Sequence, residues 1–418
     1  MIKISIDKHV KFYDWQIKEI ETERLQYLRS QVLDLEKNDR LYICKIWGYD
    51  QLRGVLILRF RKGVLPRLKI PLTLCYVRSS AGPTAGWNFT YQNFRTYHTE
   101  IATFALPVYY LKNEPNEDWR YIGFQGIEPE FFKHIGPDLE SKNHPLVLLG
   151  EEDPPIQYLI NLKNYIKNNP NDEILNLPVD IKEENWKPAL MGHPHEVLSE
   201  ALDATKQNRI TIIQGPPGTG KTHLIAGICD HYLKQNKKVC VTALTNKALM
   251  EVAEKPSLRP FLLNNKIFKT NLSGDESRAL HGLQLCVDPS LPPNGSLILA
   301  SYYKFSNLLK DTERLREIYD LLIVEEASQA FLATLSGFIN FSKKVIIIGD
   351  PKQLTPILVS EHKALNIDSN IKGIIEGLKT LSYDNSKISH RMRYTYRLTG
   401  EAARQTGLFY GIHPVKQP

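Results

Sequence analysis

Cysteine is scarce in this 418-residue sequence and scattered where it occurs, at Cys44, Cys75, Cys229, Cys240 and Cys286. No two stand at the Cys-x-x-Cys spacing that structural zinc or iron–sulfur clusters use, which excludes both as organising elements. An odd number of separated cysteines reads as buried free thiols in a reducing compartment. Long apolar runs are lacking too. No stretch approaches the ~18 apolar residues needed to cross a bilayer. The opening MIKISIDKHVKFYDW has no apolar core behind its charges, which excludes a signal peptide. A soluble, intracellular, cytoplasmic protein is expected. Charge of one sign is in mild excess only, 53 Lys and Arg against 46 Asp and Glu for a formal +7. That suits a polyanionic partner without demanding one. Internal repeats and low-complexity tracts are absent.

What is present divides by texture. Residues 14–38 read as one helix, with Leu25, Leu28, Val32 and Leu35 at spacings of 3, 4 and 3. Short β-branched or aromatic runs follow at 41–47, 53–60, 67–77 and 101–111. In the third, Leu68, Ile70, Leu72, Leu74 and Tyr76 alternate onto one face, and Pro71 marks an edge strand or a bulge. A long helix followed by strands with no helices between them predicts a smaller domain over 1–140, a helical stalk with a β-barrel or sheet. Residues 141–190, rich in Asn, Pro, Glu and Lys, read as linker and connecting helix. Over 191–385, near-continuous apolar runs at 210–214, 238–244, 296–301, 321–326 and 344–349 alternate with helical segments. That is the pattern of an α/β domain whose parallel sheet is covered on both faces.

The strongest chemical signal is GPPGTGKT at 215–222, which fits G-x-x-x-x-G-K-[ST], follows a strand and opens a helix. Gly215, Gly218 and Gly220, with Pro216, Pro217 and Thr219 between them, form a loop whose backbone N–H groups can turn toward phosphate oxygens. The helix N-terminus adds partial positive charge. Lys221 is expected to reach the β- and γ-phosphates of ATP, and the Thr222 hydroxyl to bind Mg²⁺. About a hundred residues on, IVEEASQ (323–329) puts Glu325 and Glu326 at a strand end. Beside a phosphate loop, Glu325 is expected to hold the metal and Glu326 to polarise the attacking water. GDPKQLTP (349–356) follows another apolar strand. There Gln353 can sense the γ-phosphate and Asp350 can relay phosphate state, although Gly-Asp-Pro is also a plain turn signal.

Taken in order, GPPGTGKT, VTALTNKA (241–248), VEEASQ, GDPKQL, SHRM (389–392) and GLFYG (407–411) resemble superfamily 1 DNA/RNA helicases, in the branch of the nonsense-mediated-decay helicase. The resemblance implies that 191–385 is a RecA-like motor domain and that 386–418 begins a second. It places Thr245 and Asn246 on the nucleic-acid path, Arg391 near the phosphates, and His390 where a ring often stacks on adenine. It also implies single-stranded DNA or RNA as partner, with the rest of a second motor domain supplied by a partner chain, a second copy or a longer native form. In that branch the segment ahead of the motor commonly forms a stalk carrying a β-barrel.

The sequence departs from the family in three places. Glu325 stands where the family has Asp, one methylene shorter. No clear counterpart exists for the glutamine that reads adenine ahead of the phosphate loop, where HPHEVLSEALDA (193–204) lies. The chain reaches Pro418 just after GLFYG. The expected function is an ATP-dependent helicase or translocase, this chain holding the ATP-binding half. Two alternatives stay open: an ATP-gated nucleic-acid clamp, and a regulatory P-loop module. GWNFTYQNFRTYH (86–98) interleaves Trp87, Phe89, Tyr91, Phe94 and Tyr97 with Arg95 and His98. It reads either as a strand packing aromatic rings into the core or as a surface for stacking bases.

Overall fold

The structure is a computed structural model. It describes the chain apart from residues 1–2, 51–53, 62, 64, 69, 78–86, 112–117, 142–143, 179–185, 193–195, 312–315, 362, 364, 366–367 and 410–418. Residues 142–143 and 179–185 of the expected linker, Gly86, the His-Pro-His of 193–195 and the Tyr410–Gly411 end of GLFYG therefore lie outside the described residues. The chain divides into two compact units, one of 20–154 and one of 1–19 with 155–418.

The smaller unit is a closed six-stranded barrel. Its strands are β1 (Leu41–Asp50), β2 (Val55–Arg61), β3 (Leu72–Val77), β4 (Thr99–Tyr110), β5 (Trp119–Gln125) and β6 (Leu146–Glu151), in the order β1-β2-β5-β4-β3-β6. All pairings are antiparallel. Alternate side chains fill the interior, among them Leu58, Leu74, Ile122, Phe124 and Leu149. Closure leaves no unpaired edge to aggregate. β6 lies in the stretch expected to be linker, yet it pairs with both β1 and β3 and closes the barrel. Its sequence, LVLLGE, is too short, and its LVLL run too evenly apolar, to announce a strand by alternation.

Two other expectations need correcting. The helix expected over 14–38 begins earlier and breaks, giving α1 (Ile6–Arg29) and α2 (Val32–Lys37). At the break the backbone bonds elsewhere. Tyr91 N–H donates to Ser30 O at 2.9 Å, and Val32 N–H to Phe89 O at 3.1 Å. Val32 and Leu35 are buried, whereas Leu25 is exposed. The aromatic stretch read as a strand is instead helix α3 (Tyr91–His98), capped by Thr90, whose side chain accepts from Asn93 N–H. Tyr91 and Phe94 point into the core while Phe89 and Tyr97 remain exposed. Helical spacing puts only one side of this aromatic set inside. Pro71 sits immediately before β3, where its missing N–H costs no ladder bond.

The larger unit holds a nine-stranded sheet in the order β11-β10-β12-β9-β13-β14-β8-β15-β7. Five central strands, β8 (Ile210–Gln214), β9 (Val239–Ala243), β12 (Leu297–Ser301), β13 (Tyr319–Val324) and β14 (Ser342–Gly349), fall where the apolar runs were read. Their pairings are parallel, and Val241, Leu299, Ile323 and Ile347 are buried, as both-face coverage requires. Shorter strands extend the sheet: β10 (Ile267–Lys269), β11 (Leu283–Leu285), β7 (Ala189–Leu190) and β15 (Ser389–Arg391). β7 comes from the expected linker. β15 comes from the segment expected to open a second domain, and it lies beside β8 with Arg391 level with Gln214. Strands of two or three residues carry no periodicity, so only pairing reveals them. This unit is the α/β fold with a parallel sheet that the apolar runs predicted.

Candidate functional site

Parallel pairing aligns the carboxyl ends of the strands along one edge, where α/β sheets bind ligands. Gly349 pairs with Gln214, Val324 with Ile347, and Val324 with Thr242. The residues that follow β8, β9, β13 and β14 therefore meet. They line a cleft of about 1030 Å³ to which Lys221, Thr222, Thr245, Glu325, Glu326 and Gln353 contribute.

The phosphate loop runs from Gln214 into helix α4 (Lys221–Lys234). Gly215 N–H donates to Gly349 O at 2.9 Å, tying the loop to β14. Gly218 and Gly220 have φ of +77° and +84°, a region that favours glycine. A side chain on Gly215 would collide with the Lys221 side chain. Thr219 is buried and its hydroxyl donates to Pro216 O at 2.8 Å, bracing the turn. Lys221 Nζ donates to Gly215 O at 2.6 Å, so its ammonium is held against the loop.

Glu325 and Glu326 occupy different environments. Glu325 is 6% exposed. Its Oε1 lies 3.5 Å from Thr222 Oγ1, and its Oε2 is buried without a hydrogen-bond partner. Burial, then the neighbouring Glu326 carboxylate, pushes its pKa up to about 8, against the pull of Lys221. Burial in turn lowers the pKa of Lys221, with Asp350 and Glu325 opposing. Glu326 adopts a left-handed backbone, φ 54°. Its Oε2 accepts from both the N–H and the hydroxyl of Thr245, each at 3.2 Å. Thr245 also caps the helix Asn246–Ala253, accepting from Ala248 N–H at 3.2 Å. Thr245 and Asn246 are both exposed at this edge.

Asp350, His390 and Arg391 are not lining residues of the cleft among those described. They sit behind it. Asp350 Oδ1 accepts from Gln214 Nε2 at 3.2 Å, and Arg391 Nε donates to Gln214 Oε1 at 2.5 Å. The Gln214 amide thus bridges an anion and a cation, and the Arg391 guanidinium lies 5.1 Å over the Trp186 ring. His390 is half-buried, and burial lowers its pKa. Gln353 is exposed on the cleft wall, its N–H bonded to Asp350 O at 2.9 Å in the turn.

In the segment after β15, Tyr396 and Arg397 were not singled out in the sequence. Tyr396 N–H donates to Gly218 O at 2.8 Å. A side chain on Gly218 would strike Arg397 Cβ at 2.6 Å. Tyr396 and Arg397 therefore stand over the phosphate loop and line the cleft. Leu198 lines it from the helix Val197–Gln207, within the stretch that has no adenine-reading glutamine. RMRYTYR has no recognised spacing that could have flagged these residues.

A family described as an AAA domain matches residues 199–358. Several curated relatives are named as helicases. The chain is 27% identical over 226 residues to the Regulator of nonsense transcripts 1 homolog of Arabidopsis thaliana, covering 43% of this chain and 18% of that protein. It is 31% identical over 163 residues to RecBCD enzyme subunit RecD of Buchnera aphidicola subsp. Acyrthosiphon pisum, covering 38% and 24%. Residues 199–358 are a P-loop NTPase domain of the superfamily 1 helicase type. A further match, to the DNA replication ATP-dependent helicase/nuclease DNA2 of Saccharomyces cerevisiae, is 24% identical over 219 residues, covering 48% and 13%. The chain spans less than a third of the length of the curated relatives it matches first.

The helicase-type domain fits the cofactor its family uses. Magnesium keeps few protein ligands and relies on nucleotide phosphates and water for the rest. The orphaned Glu325 Oε2 beside the Thr222 hydroxyl offers one carboxylate and one hydroxyl at the helix N-terminus, and the loop supplies the cradle. All five cysteines are buried and free, and no described helix is long and apolar enough to cross a membrane.

Proposed function

We propose that this chain binds and hydrolyses Mg·ATP and couples that cycle to movement on single-stranded DNA or RNA, as the ATP-binding half of a helicase or translocase. The observation that carries the reading is the convergence of Lys221, Thr222, Glu325 and Glu326 on one cleft. Mg·ATP, when bound, would bring its own charge neutralisation to the β- and γ-phosphate oxygens. Lys221 would leave Gly215 O to meet phosphate, and Thr222 and Glu325 would hold the metal. Glu326 receives the proton of the attacking water, and Gln353 reads the γ-phosphate from the wall. Asp350, His390 and Arg391 support the loop through Gln214 and β8 and respond to nucleotide state. Thr245 and Asn246 meet the nucleic-acid strand. The barrel unit, residues 20–154, serves as an accessory domain, and the second half of the motor comes from a partner chain, a second copy or a longer form.

One observation favours a second reading, an ATP-gated clamp with slow turnover. Glu326 is engaged by Thr245, and burial together with the Glu326 carboxylate raises the pKa of Glu325. Steady-state ATPase with and without single-stranded nucleic acid separates the two. Stimulation supports the motor. Tight ATP binding without turnover supports the clamp, and indifference to nucleic acid overturns both in favour of a regulatory P-loop module.

A further inference from the structure

The barrel carries an arginine whose side chain is prepared for an anion that the described residues do not supply. The Arg59 guanidinium on β2 lies 4.8 Å from the Trp47 ring on β1 and 4.5 Å from the Trp119 ring on β5. His144 stacks on Trp47 with centroids 4.4 Å apart and planes within 8°. Tyr121, level with Arg59 in the β2–β5 ladder, closes on Trp47 at 5.3 Å. Arg59 forms no ion pair or hydrogen bond among the described residues, and its Nε is buried without a partner. Trp47 is 42% exposed, so the group lies at the surface.

The arrangement has a physical consequence. Indole rings over a guanidinium satisfy its faces by cation–π contact and hold its plane fixed. What remains is the in-plane fork of N–H donors, whose geometry matches a pair of phosphate oxygens. The surroundings are cationic. Lys45 lies directly opposite Arg59 in the β1–β2 ladder, and Arg61 lies opposite Trp119 in the β2–β5 ladder. Glu36 is a carboxylate within electrostatic reach of Arg61. Lys45, Arg59 and Arg61 alternate outward because Cys44, Leu58 and Phe60 fill the barrel.

We propose that this outer face of β1, β2 and β5 is a phosphate-binding track for the backbone of single-stranded nucleic acid, with Arg59 as its central ligand. The proposal rests on the nucleic-acid reading above and gives the barrel a role in it. A polyanion with regularly spaced phosphates can use Lys45, Arg59 and Arg61 together, which a free phosphate cannot. Sequence selectivity is not expected, because backbone contacts carry none.

The test is a fluorescence titration of the full 418-residue chain with a labelled single-stranded oligonucleotide between about 50 and 200 mM salt, where phosphate contacts are lost steeply. Arg59→Gln is expected to weaken binding several-fold and to reduce the slope of log K against log salt by about one. Arg59→Lys keeps the charge and should keep the slope, with weaker affinity from the lost fork. Inorganic phosphate at millimolar concentration should compete poorly, and effective competition would replace the track by a small-anion site. If circular dichroism shows that Arg59→Gln unfolds, the double variant Lys45→Gln/Arg61→Gln, outside the ring stack, decides by the same slope. An unchanged slope in a folded variant of a chain that binds nucleic acid overturns this proposal alone. Failure of the unaltered chain to bind nucleic acid overturns the functional reading and this proposal with it.

Discussion

Glu326 accepts two hydrogen bonds from Thr245, one from its N–H and one from its hydroxyl, each 3.2 Å long. One residue expected on the nucleic-acid path therefore holds the carboxylate expected to activate water. Thr245→Ala removes the hydroxyl from Glu326 and from the helix cap, at a stability cost of about 1 kcal/mol. It should loosen the dependence of turnover on nucleic acid, lowering the fold-stimulation of ATPase by single strands. Thr245→Ser keeps both bonds and should behave as the parent. Equal stimulation in the alanine variant would separate Thr245 from catalytic control.

Lys221→Ala takes away the charge-assisted phosphate contact and should weaken nucleotide binding by roughly 2–5 kcal/mol. Glu326→Gln should leave binding intact and stop hydrolysis. Calorimetry and a phosphate-release assay on the two variants check this pair of outcomes. ATP binding unchanged in Lys221→Ala would remove the nucleotide assignment.

Glu325 gives the stability of the ligand-free chain a pH dependence. Its folded pKa of about 8 lies above the ordinary carboxylate value of 4.5. Between those two values the folded state holds a proton that the unfolded state has released, so stability falls as pH rises. One such group contributes at most about 1.4 kcal/mol per pH unit. Thermal unfolding at pH 6 and pH 8 should show the decline, and Glu325→Gln should flatten it. A slope that persists in the glutamine variant would place its origin elsewhere.

His9 acts in the opposite sense at lower pH. Burial brings its pKa down to about 4, and its ring nitrogen Nε2 lies 3.1 Å from Leu175 O. Between about 4 and 6.5 the unfolded state binds the extra proton, so stability is lost as pH falls through that window. His9→Gln should reduce the acid sensitivity in a chemical-denaturation series at pH 4.5 and pH 6.5.

Arg397 stands over the phosphate loop, and its charge opposes protonation of Lys221. An exposed cation of this kind is worth roughly 0.5–1 kcal/mol, so Arg397→Ala should weaken ATP binding a few-fold. ADP, with one phosphate fewer, should lose less. An equal loss for both nucleotides would make the segment a structural brace.

Much of this protein was written locally. The phosphate loop needs glycines where φ turns positive, a lysine and a threonine at the next two positions, and a strand before them. Each requirement is met by neighbours in sequence, so GPPGTGKT could be read without coordinates. The five central strands were legible for a related reason, since burial on both faces demands an unbroken apolar run. Pairing and packing decided the rest. β6 and β15 are strands only because partners lie beside them, and α3 is a helix because its rings have one side of the barrel to fill. The Gln214 bridge, the hold of Thr245 on Glu326 and the Trp47–Arg59–Trp119 stack join residues that are from a dozen to 177 positions apart. A hydrogen bond or ring contact between such residues leaves no period in the chain, so only the folded structure brings them into view.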